Sequence, residues 1–148
     1  MLFRSYTTNI LLDANASETN VVTVVAVDDE NTPATDSDDH TITGTNDVPF
    51  VTIDKSAPVG VSEGGALVTY TFVITADPNN ASTDPLTVTS LNDTVFGDLL
   101  AVAEGQNGGN PIVLNPGASF TFTYTTNILL DANASETNVV TVVAVDDE

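Results

Sequence analysis

The chain contains no cysteine, which excludes both a disulfide scaffold and a zinc–thiolate centre. Positive charge is almost as scarce. Lys and Arg together number 2 against 21 Asp and Glu, a formal net charge of −19. A field of that sign repels phosphate backbones and anionic lipid surfaces, so the expected partners include no nucleic acid. No apolar run approaches the roughly 20 residues that cross a bilayer, and membrane insertion is not expected. The opening MLFRS lacks the apolar stretch of a secretory leader, so an exported protein with this sequence would carry its targeting signal elsewhere. With one His, no Cys and no GxSxG, the chain cannot compose a nucleophilic triad. Acids are numerous enough for a glycosidase pair, but nothing points to a cleft, and the expectation is that this is not an enzyme.

What remains is strand and turn vocabulary. Hydrophobic residues make up 41 %, enough for a core, and Thr, Val, Asn and Asp prevail while good helix formers are few. The most conspicuous feature is a repeat. YTTNILLDANASETNVVTVVAVDDE stands at Tyr6–Glu30 and again, without a substitution, at Tyr124–Glu148. Each residue of the second copy lies 118 positions after its twin, a period too long for a solenoid and suited to a tandem array of domains.

The repeat sets the domain register. TGTNDVPFV at Thr43–Val51 combines turn residues and Pro49 with a fresh apolar run, and reads as a linker. Residues 1–47 then hold the C-terminal strands of a preceding repeat plus the linker, and residues 48–148 hold a domain of their own. The first copy continues as NTPATDSDDHTITGTND. On this reading the domain of 48–148 lacks its last strand, whose one counterpart in the chain is Thr35–Thr45.

Strand signals recur at short spacing: Val48–Ile53, a piece near Val59–Ser62, the alternating Ala66–Ala76, Pro85–Leu91, Pro111–Leu114, Ala118–Leu130 and Thr137–Val145. No helical period is evident. The expected fold is all-β: an antiparallel immunoglobulin-like β-sandwich, in a tandem repeat whose 118-residue period is seen through a permuted window. In Val139–Val145 both faces are apolar. A central strand with tolerated surface valines is the simpler account, and a second face covered by a neighbouring domain or subunit is the alternative.

These residues also carry a resemblance. HTITGTNDVPFV resembles the junctions of repeat domains in large bacterial surface adhesins, including VCBS and RTX-adhesin arrays. SEGGALVTYTFVITADPNNASTDPLTVTSLNDTVFGDL, LNPGASFTFTYT and AVDDENTPATDSDD resemble a bacterial immunoglobulin-like repeat found in tandem on exported proteins. The resemblance spans nearly the whole chain. It implies an extracellular, cell-surface location and a structural role, often stiffened by calcium.

The acids fall in clusters: Asp28, Asp29 and Glu30; Asp36, Asp38 and Asp39; Asp47; Asp93 with Asp98; and Asp146, Asp147 and Glu148. Calcium is a hard ion that takes carboxylate oxygens, and it is the cofactor expected to relieve this charge. No cluster has the full pattern of an EF-hand loop, so a site would be assembled from separate segments. Solvated acidic turns are the plain alternative, and Asx capping of the turn around Gly97 competes at Asp93 and Asp98. Lys55, the lone lysine, reads first as an exposed residue beside Asp54 that discourages edge pairing. A Lys–Asn crosslink assisted by a buried acid, as some bacterial immunoglobulin-like pilins have, is the less favoured reading.

Taken together, the expectation is a structural repeat module of an extracellular fibre or adhesin stalk. Its partners would be other copies of itself, head to tail, in a covalent array or by strand complementation between molecules. The rival is a ligand-binding adhesin domain that recognises carbohydrate or a host protein through loops such as Asp77–Asp84.

Overall fold

The computed structural model describes residues 5–58 and 60–146. The chain divides into two compact units, Met1–Asp47 and Val48–Glu148.

The first unit is built on a hairpin of β1 (Ser17–Val27) and β2 (Pro33–Thr43). The strands are antiparallel, in a register running from Ser17↔Thr43 to Val27↔Pro33. Asp28 turns the chain: its Oδ1 accepts the N–H groups of Glu30 and Thr32 at 3.1 and 2.7 Å, and Asn31 takes a left-handed φ of 63° that Asn tolerates. Every residue of both strands is exposed. A two-stranded hairpin without a core is marginal in water, so the valines of β1 gain nothing from burial here.

The second unit holds β3 (Val51–Ser56), β4 (Ala66–Ala76), β5 (Leu86–Asp93), β6 (Gly97–Asp98), α1 (Leu100–Gln106), β7 (Val113–Leu114), β8 (Ser119–Ile128) and β9 (Val140–Val145). One sheet has the order β3-β4-β8, and in the other β5 pairs with β6, β7 and β9. All of these pairings are antiparallel. The chain is thus mostly β, as its composition predicts. The Val–Tyr–Phe–Ile alternation of β4 turns Val68, Tyr70, Phe72 and Ile74 inward. Across the ladder Phe72 faces Phe122, and their rings stack with centroids 4.7 Å apart. Phe72, Ile74 and Phe122 from the first sheet join Leu86, Val88 and Leu91 of β5, with Leu99, Ala103, Ile112 and Leu114, in one buried cluster. Each of these side chains other than Ala103 stabilises by about 1.5–3 kcal/mol on burial.

Two expectations need correction. The segment 100–106 is helical, and its signal is only Leu99 and Ala103, four apart and both buried, too short for a visible period. The expected strand near Val59–Ser62 is not one: Gly60–Ser62 is irregular, and Val59 lies outside the described residues.

Candidate functional site

Two features of the structure stand out as candidate sites: a strand edge and a buried ion pair. The edge comes from the repeated sequence. Val140, Val142 and Ala144 of β9 pack against the core, while Val139, Val143 and Val145 face outward. Their twins on β1 have no such shelter. Val22 and Val24 are 64 % and 60 % exposed.

The backbones show which edge each copy uses. On β1 the even-numbered residues turn toward β2: Asp28 N–H donates to Thr32 and Gly44 N–H donates to Ala16, at 3.2 and 2.8 Å. At the start of β9 an odd-numbered residue turns toward β5, with Thr94 N–H donating to the Val139 carbonyl at 2.9 Å. The offset of 118 is even, so Val140, Val142 and Ala144 correspond to the β1 residues that bond β2. The two copies therefore use opposite edges of one strand. Among the described residues β9 pairs with β5 alone, and its outer edge is the one that β1 gives to β2. The pairing also sets strand length. The β structure begins at Ser17 where residues 40–43 face it, but only at Val140 in the second copy.

The ion pair joins Lys55 Nζ to Asp93 Oδ2 at 2.7 Å. Lys55 follows Val51 and Ile53 on the inward face of β3, and its side chain is 13 % exposed. The reading of Lys55 as an exposed residue is thereby overturned. Alternation along a six-residue strand carried the signal, but a charge at the third inward position argued against it. Asp93 owes its direction to a β-bulge. The register between β5 and β9 shifts between Val88 and Ser90, so the inward set passes from Leu86 and Val88 to Leu91 and Asp93. Nothing in the sequence announces that shift.

Asp93 Oδ1 accepts the N–H groups of Val95 and Phe96, both at 2.9 Å. Burial pushes its carboxyl up. The hydrogen bond from Lys55, those from Phe96 and Val95, and the Lys55 charge outweigh that effect, and the net direction is below the ordinary value. Lys55 Nζ also sits 4.8 Å from the Phe96 ring centroid and 4.9 Å from that of Tyr70, within cation–π range. Burial raises the Tyr70 phenol above its usual value, with further contributions from Glu136 and Asp93. Lys55 and Tyr70 line a cavity of about 450 Å³, shared with Glu63, Glu136 and Asn138. Asn138 brings an anomaly: its Nδ2 and Oδ1 are both buried and have no hydrogen-bond partner.

The acids proposed for calcium are dispersed. Asp28 caps the β1–β2 turn with Asp29 and Glu30 beside it, while Asp36, Asp38 and Asp39 are strung along β2 opposite Val24, Val22 and Val21. Asp47 is exposed, and Asp146 is half-buried. Asp98, just before α1, accepts the Leu100 N–H at 2.9 Å, and Asp93 is engaged as above. Asp147 and Glu148 lie outside the described residues. Among the described residues no three His, Asp or Glu side chains converge as metal ligands. Compared with protein-family models, curated proteins and solved structures, the chain matches none.

Proposed function

We propose that the chain is a structural module of a tandem extracellular array, whose second unit is an immunoglobulin-like sandwich completed by a strand from the next copy. The observation that carries this reading is the complementary use of edges. In unit one the repeated strand receives β2 on one side, and in unit two it receives β5 on the other. Superposing the two uses gives a sheet β5–β9–β2, with Asp38 of the next copy opposite Val140, Asp36 opposite Val142 and Ala34 opposite Ala144. Such strand addition derives affinity from main-chain hydrogen bonds and register from side-chain alternation. Within one long chain the next repeat supplies the strand, and between separate molecules a second copy does.

The absence of native cysteine makes a clean test. Thr23 faces Ser37 across the hairpin, so the equivalent contact is Thr141 against Ser37 of the next copy. Under oxidation, Thr141→Cys combined with Ser37→Cys is expected to give a ladder of covalent oligomers if the strand passes between molecules. Monomers without a disulfide would confine complementation to covalent arrays, and a closed ring within one chain would contradict the assignment. Calcium is the second component of the proposal, and its support is the net charge of −19. Calcium should raise the midpoint of thermal unfolding and a chelator should lower it, and identical melts would remove calcium from the account.

A further inference from the structure

Lys55, Asp93 and Asn138 share one end of the core for reasons of strand geometry. Lys55 is the third inward residue of β3, and β3 packs against β9. Asp93 stands directly opposite Val140. Hydrogen bonds between Thr94 and Val139, at 2.9 and 3.0 Å, continue that register one step further. Asn138 is two residues before Val140 and so extends the inward row Val140–Val142–Ala144, diagonal to Asp93 on the same face. The amine and the carboxylate are thus paired beside Tyr70, Phe72 and Phe96, and the carboxamide residue lines the same cavity as Lys55 and Tyr70. The carboxamide is buried with both polar atoms unpartnered, a costly arrangement that calls for a bonding partner.

We infer that Lys55 and Asn138 become joined by an amide bond between Lys55 Nζ and Asn138 Cγ, formed in the folded protein with Asp93 as acid and base and with ammonia as leaving group. The step begins with one proton passing from Nζ to Asp93 Oδ2 along their 2.7 Å hydrogen bond, which frees the lone pair on nitrogen. Nζ then adds to Cγ. Asp93 gives its proton to Nδ2 and takes one from the attacking nitrogen. The Cγ–Nδ2 bond breaks, the carbonyl re-forms, and the departing nitrogen leaves as ammonia. The proton left on Asp93 goes to that ammonia, so Lys ammonium plus Asn carboxamide have become one amide plus one ammonium ion. Asp93 is again a carboxylate and accepts the new amide N–H. No oxidant, metal or cofactor enters the balance. The product closes a loop from residue 55 to residue 138, which ties β3 to the segment leading into β9.

Intact mass spectrometry of the purified full chain tests this directly. The mass should fall short of the sequence mass by one ammonia, and a digest should contain a single species joining the peptides of Lys55 and Asn138. Lys55→Arg and Asn138→Ala should each restore the full mass, and Lys55→Arg should lower the unfolding midpoint by more than about 10 °C. Asp93→Ala should also show the full mass. Because that variant risks misfolding, Asn138→Asp serves as a size-matched second check, in which no ammonia should be lost. A folded chain with the full sequence mass overturns the inference. So does an ammonia loss that maps to another Asn or persists in Asn138→Asp.

Discussion

Residues 6–30 and residues 124–148 have one sequence and two environments, and the contrast separates what the sequence encodes locally from what its neighbours impose. The turn is local. Asn15 and Asn133 take left-handed φ values of 59° and 62°, and each turn is closed by the same bond, Ala16 N–H to Asp13 and Ala134 N–H to Asp131, at 3.1 and 3.0 Å. The strand is not local. Its length, its partner and the burial of its valines all change with what lies alongside. A valine row gives a strand its potential, and a neighbouring edge decides whether that potential becomes structure.

Substitutions at twin positions can break this comparison. The largest effect is expected at the ion pair beneath the second copy. Added to Asn138→Ala, in which Lys55 stays an ammonium, Asp93→Ala leaves that charge buried without its counter-charge and should cost about 3–5 kcal/mol in denaturant unfolding. No twin of this site exists in unit one, so the cost should leave the β1–β2 hairpin amides unchanged. Next come the valines themselves. Val142→Ala removes two half-buried methyl groups and should cost about 1 kcal/mol, whereas Val24→Ala should stay within about 0.5 kcal/mol. Equal costs at the two positions would refute the assignment of environments. Asn15→Ala and Asn133→Ala should instead match each other, at about 1 kcal/mol of local stability each, read by amide exchange around the turns.

The pH dependence sharpens the same contrast. In Asn138→Ala, Lys55 keeps its ammonium whatever the fate of the wild-type pair. Its neighbour Asp93 has a carboxyl held below the ordinary value. Such a group contributes stability above its unfolded-state pKa, about 4, and that contribution is lost as pH falls through the lower folded-state value. The stability difference between Asn138→Ala and the same variant carrying Asp93→Asn should therefore be full at neutral pH and shrink below about pH 4. A difference that grows on acidification would contradict the sign.

Much of the fold is legible in the sequence because it rests on short periodic signals. Ala66–Ala76 is the strand its alternation predicts, and Ser119–Ile128 falls inside the expected Ala118–Leu130. Long-range pairing hides the rest. The shift between Val88 and Ser90 reverses the parity of β5, so no count along the sequence would place Asp93 inside. Lys55 reads as a surface charge until Asp93 is known to stand beneath it. Asn138 follows Glu136 and Thr137 in a stretch that looks like an ordinary polar turn, yet its amide is enclosed. The acidic clusters are the loudest signal in the sequence, and the structure disperses them among turns, the approach to a helix and a strand.

The central claim is that the outer edge of β9 accepts the strand that β1 already has. It is tested most directly by lengthening the chain after Glu148 with a further copy of residues 31–47 and following unfolding and amide exchange. The account predicts a midpoint raised by about 5 °C or more. It also predicts slowed exchange at Val140, Val142 and Ala144, with β structure extending back through residues 135–138. An unchanged midpoint with β9 exchanging as fast as before would contradict it.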